Sequence, residues 1–252
     1  RADYSFDALE PEFNQGEEML VDVIKNRQQN CKIGLTQLIE TNFWANAAST
    51  DDQTPQGILY WLPYTTTAGH VGTYPTGYTT VAALDPVVYT GWKSYGDVWV
   101  AATDADLFLK MRNALSQTEF MAPIQPMLIS DFSTGWDWQI YMNLRTMLQF
   151  EDAAKLQNDN VGNDLDKFNG AVMFRRVPMM EVPALQSNTR DPIIGLNWGV
   201  IENRCKRGWW MRDEDVAQDP SQPLTVSKDM YCVYNLIFTD RRTGGFNIAK
   251  AA

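Results

Sequence analysis

Between Glu17 and about Phe43 the apolar residues Leu20, Val23, Ile24, Cys31, Leu35, Leu38, Ile39 and Phe43 recur at steps of three and four. That spacing lines them along one side of a long amphipathic helix, with Gly34 a weak point in its middle. The stretch Ala47 to Pro55 is small and polar, and from there to Val100 the chain is rich in Thr, Tyr, Gly and Pro without a helical period. This pattern predicts extended hairpin or loop structure. At Thr103 a start signal appears: Asp106 follows three residues on, and Leu107, Met111 and Leu115 then stack on one face of a helix running to about Gln117.

A short apolar strand (Met127, Leu128, Ile129) is expected to lead into a second amphipathic helix, with Trp136, Ile140, Leu144 and Leu148 at four-residue spacing. Strand followed by helix suggests a mixed α/β layer. The polar segment Gln157 to Asn169 reads as a surface loop, and Ala171 to Val182 as a strand broken by Pro178. Ile193 to Ile201 and Met230 to Phe238, rich in β-branched and aromatic residues, predict that the chain ends in sheet. No internal repeat, heptad array or interdomain linker interrupts this pattern.

Composition narrows the function classes. With 252 residues, 44% of them hydrophobic and 21% charged, the chain can bury a core of one large or two small domains. No apolar run reaches the roughly 18 residues of a membrane helix, and no signal peptide is recognisable. The chain opens on Arg1 rather than Met, which implies sequence upstream of it. Three cysteines, Cys31, Cys205 and Cys232, form no CxxC pair, so neither a disulfide framework nor a zinc site is expected, and a reducing compartment fits best. A formal net charge of −10 argues against sequence-independent nucleic-acid binding through phosphates. Nine Trp, ten Tyr and eleven Phe are many for this length, and large aromatics concentrate in cores and in contacts between subunits.

Candidate chemistry is sparse. His70 is the single histidine, in a Thr- and Gly-rich loop, and reads as a packing or exposed loop residue. The acidic neighbours Asp51 and Asp52, Glu151 and Asp152, and Asp213, Glu214 and Asp215 could in principle flank a glycosidic bond, but loop carboxylates are usually just solvated. The run Asp159 to Asp166 lacks the ligand spacing and closing Glu of a calcium loop. Gly244 and Gly245 lack the context of a phosphate loop and read as a tight turn. Arg204, Lys206, Arg207 and Arg212 surround Trp209 and Trp210, and acidic residues follow directly. That cluster suits an intersubunit charge network or a solvated strand pair better than an anion site. No catalytic, cofactor-binding or metal residue is assigned, and no cofactor is expected.

Four segments taken in order, PMLISDFSTGWDWQIYMNLRTMLQ, VMFRRVPMMEVPAL, IIGLNWGVIENRCKRGWWMRDEDV and MYCVYNLIFTDRRTGGFNI, resemble the coat proteins of tailed bacteriophages. The resemblance covers about two thirds of the chain. It implies an α+β fold of the Hong Kong 97 type, with an N-terminal arm and helix (1–50) and an extended loop reaching over a neighbour (51–102). A peripheral domain would comprise 103–123 and 200–245, with Thr103 to Gln117 as its spine helix beside long antiparallel strands. An axial domain (124–199) and a C-terminal tail (246–252) would complete it.

What the resemblance implies about function is mechanical. Copies of the chain itself would form pentamers and hexamers of an icosahedral shell, located in the virion and assembled in the host cytoplasm, enclosing DNA without sequence-specific binding or a membrane. Decoration or cement, portal and scaffolding proteins would be further partners, and no enzymatic activity is implied. Some relatives weld their shells through a loop lysine, and Lys93 is the only lysine between Lys32 and Lys110, with no partnering Asn identifiable. Two other readings stand beside this one: an encapsulin-type nanocompartment shell, and, from another class, a carbohydrate-active enzyme or binding module using the Trp and carboxylate residues.

Overall fold

The computed structural model describes residues 1–7, 23–118, 137–157, 165–168, 171–175, 177–215 and 224–251. In chain order its elements are β1 (Ala2–Asp7), α1 (Val23–Phe43), α2 (Ile58–Trp61), β2 (Gly69–Val71), β3 (Ser94–Trp99), α3 (Leu109–Thr118), β4 (Trp138–Met142) and α4 (Leu144–Gln157). There follow β5 (Leu165–Phe168), β6 (Ala171–Phe174), β7 (Val177–Glu181), β8 (Ile193–Asn197), β9 (Ile201–Cys205), β10 (Arg212–Asp215), β11 (Thr225–Tyr231), β12 (Tyr234–Phe238) and β13 (Gly245–Lys250). The chain divides into two compact units: Arg1–Asn42 with Asn203–Asn235, and Phe43–Glu202 with Leu236–Ala252. Strands β9 and β12 pair with each other, and along them the chain passes from one unit to the other and back.

The first unit is the long helix with a three-stranded antiparallel sheet in the order β1-β11-β10. Cys31, Leu35 and Ile39, one turn apart on α1, pack with Ala2, Tyr4, Phe6 and Met230. The helix expected from the three- and four-residue steps is therefore present over Val23–Phe43, while the stretch before it lies outside the described residues. Leu38 and Ile33 sit off the packed face and are exposed.

The second unit is built on a mixed eight-stranded sheet in the order β2-β3-β13-β8-β4-β7-β6-β5. Successive residues of a strand point to opposite faces, and here neighbours divide between two cores. Ile140 and Ile193 join Trp99, Phe108, Met111, Phe150, Phe174, Phe246 and Ile248 in the core that α3 and α4 contribute to. Tyr141 and Ile194 join Trp44, Ile58, Trp61, Leu62, Val81, Leu196, Leu236 and Phe238 in the other. Arg241 is fully buried in this unit and donates to the backbone carbonyls of Trp61, Trp92 (3.1 Å) and Thr73 (3.3 Å). Burial pushes its pKa down to about 10, so it remains a cation at neutral pH and ties three segments of the chain to one side chain.

Several expectations change. Residues 51–102 are not an outlying loop: α2 is a core element and β3 is a buried strand, parallel to β13 on one side and antiparallel to β2 on the other. A strand buried on both faces shows no period-two alternation, which is why Ser94–Trp99 passes unnoticed in the sequence. Residues 246–252 do not form a tail, because β13 lies inside the sheet with Phe246 and Ile248 fully buried. The helix expected from Trp136 through Leu148 is a strand, β4, followed by α4. Asn143 Oδ1 accepts the Thr146 N–H (2.8 Å) and marks where the helix begins. On α4 it is Thr146 and Phe150 that are buried, whereas Leu144 and Leu148 are 41% and 51% exposed.

The helix from Thr103 forms, through one π-helical turn (Asp104–Phe108) that runs into α3. Its Leu107, Met111, Ala114 and Leu115 share a core with β4, β7 and β8, so residues 103–118 and 137–199 belong to one body and the boundary expected between them falls away. The break in 171–182 falls at Arg175 (φ 49°), and Pro178 lies within β7 opposite Met173. Residues 165–168, expected in a loop, pair with β6 as a strand. The strand expected at Met127 to Ile129 lies outside the described residues.

Candidate functional site

The residues that could carry chemistry are dispersed. His70 lies on β2, with Nε2 3.2 Å from the Gln117 carbonyl oxygen and its ring edge-on to Tyr95. Burial lowers its pKa below the ordinary value, so it is a neutral packing residue at pH 7. Asp51 accepts the backbone N–H groups of Gln53 (2.9 Å) and Thr54 (3.1 Å) in an exposed turn, and its hydrogen bonds to Thr54 and Gln53 lower its pKa. Asp52 beside it is exposed, and Glu151 and Asp152 lie next to each other on α4.

Asp213 and Glu214 are consecutive in β10 and therefore diverge. Asp213 accepts a hydrogen bond from Gln28 of α1, whereas Glu214 pairs with Arg212 (3.1 Å) and stands across from Asp229. Asp229 in turn faces Asp3 and is bound by Arg1 (3.1 Å) and the Tyr231 hydroxyl (2.8 Å). In the second unit the buried Asp191 accepts Asn143 Nδ2 (2.7 Å) and lies 3.7 Å from Lys250 Nζ and 3.8 Å from Arg145. This cluster ties the start of α4 to the end of β13. No group of three His, Cys, Asp or Glu among the described residues could hold a metal ion.

Gly244 and Gly245 close a turn that Asp240 organises by accepting the Arg242 N–H (2.9 Å) and the Thr243 hydroxyl. A Cβ on Gly245 would lie 2.4 Å from the Gly195 carbonyl oxygen, so the pair serves close backbone approach. Lys93 is half-buried at the end of a 3₁₀ turn just before β3. The run Asp159 to Asp164 lies outside the described residues.

Surfaces carry more information than side-chain clusters. Val87, Val88 and Tyr89 are consecutive and exposed, Val88 at 67%, and Leu144 and Leu148 form a second exposed apolar pair. The basic cluster Arg204 to Arg212 is drawn around Trp209, with Lys206 Nζ 4.4 Å and Arg212 Cζ 4.8 Å from the ring centre. Trp210 is turned outward and 49% exposed, touching Tyr234 edge-on. Burial pushes the Tyr234 phenol up to about 12, so it stays neutral. Among the described residues Trp44, Trp61, Trp99 and Trp138 are buried, so much of the aromatic content serves the chain's own core.

No protein-family model and no curated protein matches the chain. Solved structures do. The chain is similar to a chain of the capsid asymmetric unit of cyanophage A-1(L), with TM-score 0.64 and 13% identity over 98% of this chain and 75% of that one. This chain has the fold of a tailed-phage capsid subunit. The same fold recurs in the capsid of the native GTA particle (TM-score 0.53, 10% identity, 100% and 73% of the two chains). It recurs again in the capsid of Myoviridae phage XM1 (TM-score 0.50, 11% identity, 99% and 71%). The capsid fold covers nearly the whole chain, including residues 1–42, which lie outside the four segments that carry the resemblance.

Proposed function

We propose that this chain is a major capsid protein, the structural subunit of an icosahedral phage head, with no enzymatic role. The observation that carries the reading is the capsid fold spanning 98% of the chain. Its unspent surfaces agree with it: a subunit exposing Val87, Val88, Tyr89, Leu144, Leu148 and Trp210 hides them in an assembly. The acidic balance of −10 suits an inner wall past which DNA slides without binding. The partners are then further copies in pentamers and hexamers, and the location is the virion, with assembly in the host cytoplasm. No helix among the described residues is long and apolar enough to cross a membrane.

Within this reading the domain roles shift from the sequence expectation. The first unit, with the longest helix and the paired strands β9 and β12 leading into it, takes the peripheral role and α1 the spine. The second unit, with α3 and α4 on its sheet, takes the axial role.

The test is sedimentation velocity with negative-stain microscopy on the purified chain over a concentration series. Closed shells, ring-shaped capsomers or polymerised sheets are expected. A monodisperse monomer at every concentration would overturn the proposal.

A further inference from the structure

We infer that the turn Arg204–Arg212 is a docking surface for a second copy of this chain, with Trp210 as its apolar anchor and Lys206 and Arg207 as the cations that meet carboxylates of that copy. The inference rests on the shell reading and adds to it where subunits grip one another.

Charge distribution supplies the first argument. Residues 203–212 hold four basic side chains and no acidic one, while the rest of the chain holds 17 basic residues against 31 acidic. Glu202 precedes this stretch and Asp213, Glu214 and Asp215 follow it, so the turn is a short basic patch in an acidic surround. Copies of such a molecule repel one another at a distance, but that repulsion is screened beyond about 8 Å at physiological salt. A patch of opposite sign within contact range then selects which surfaces meet.

Geometry supplies the second. The Lys206 N–H donates to the Val233 carbonyl, the Val233 N–H to the Trp209 carbonyl and the Trp209 N–H to the Lys206 carbonyl, all at 3.0 Å, so the turn is fixed against the start of β12. Gly208 (φ 77°) and Met211 (φ 48°) take left-handed conformations on either side of the two tryptophans. Trp209 is half-buried and holds Lys206 and Arg212 on its ring, gathering like charges that would otherwise spread apart. Trp210 is left outward, and Val233 opposite the turn is exposed as well.

A fixed turn that presents an exposed Trp beside a second Trp carrying Lys and Arg on its ring has the composition of an interface hot spot. Exposed carboxylates such as Asp51 and Asp52 are available on every other copy. The basic turn and carboxylates such as Asp51 and Asp52 are different patches, so a contact between them is heterologous and propagates into rings and closed shells. A polyanion is the poorer occupant: four cations face an otherwise strongly acidic chain.

The experiment compares the full chain with Trp210→Ala, Arg207→Glu and the double variant Lys206→Glu/Arg207→Glu. Thermal melts establish that each folds, and Arg207, exposed in the turn and in none of the hydrophobic cores, can be changed without removing a core residue. Sedimentation velocity should show each variant needing at least about tenfold more protein for half-assembly, the loss expected of an interface hot spot. If the parent chain assembles and the folded variants assemble at the same concentration, the docking inference is overturned and the shell reading stands. If the parent chain never assembles, both fall. Anisotropy with a labelled single-stranded oligonucleotide covers the remaining occupant: binding lost in the double variant, with assembly unchanged, would make the turn a nucleic-acid site and overturn the inference.

Discussion

Gly195 of β8 stands directly across from Phe246 of β13, and a methyl group on it would lie 2.2 Å from ring carbon Cε1. The ring cannot move aside freely, because it is fully buried and stacks near Trp138 (centroids 6.1 Å apart). Adding one carbon to a filled core forces side chains off their preferred rotamers or shifts the backbone. Gly195→Ala should therefore lower stability by about 1–3 kcal/mol. An unchanged midpoint in a urea titration would show that the β8–β13 pairing is looser than this contact requires.

At the scale of elements, α3 depends on a carboxylate reaching backwards. Asp106 accepts the N–H groups of Val100 (2.7 Å) and Ala101 (2.8 Å) and pairs with Lys110 one turn on, so it locks the end of β3 to the start of the helix. Burial alone would raise its pKa, but the hydrogen bonds from Ala101, Lys110 and Val100 outweigh it and hold it below the ordinary carboxylate value. A depressed folded pKa means stability that is present at neutral pH and lost as the pH falls through that value. Asp106→Asn should cost about 1–3 kcal/mol at pH 7, with the gap to the parent chain closing as the pH is lowered toward 3. A gap constant with pH would locate the cost in packing instead. The sequence points to Asp106 as a start signal but assigns the cap to Thr103, whose side chain makes no cap bond.

Helices with a clean period, α1 and α3, are legible in the sequence because each buries one stripe. β4 is not, since Trp136, Ile140, Leu144 and Leu148 mimic a helical stripe across a strand–helix junction, and only the Asn143 cap betrays it. β13 hides for a different reason: it begins within a Gly pair that reads as a tight turn, although those glycines allow the close approach that places the strand mid-sheet. The basic turn is legible as a charge and aromatic cluster, but its backbone is not, because Met211 takes a positive φ for which its residue type has no preference.

Among the described residues the two units bury cores of unequal size. The second unit buries two large cores on either face of its sheet, whereas the first unit rests on Tyr4, Cys31, Leu35 and Met230 with a few half-buried neighbours. Local opening free energy follows buried apolar contact, so amides of α1, β1 and β11 should exchange with solvent well before those of β4, β8 and β13 in the isolated subunit. Assembly stabilises whatever it binds in the folded state. If the turn Arg204–Arg212 grips a second copy, then amides of the first unit, which carries that turn, should gain more protection on assembly than those of the second. Hydrogen exchange on subunit and assembled particle measures both steps. Equal protection of the two units before assembly would mean that the smaller core is stronger than its residues suggest. A gain confined to the second unit would place the subunit contacts on the Val87–Tyr89 and Leu144–Leu148 surfaces instead.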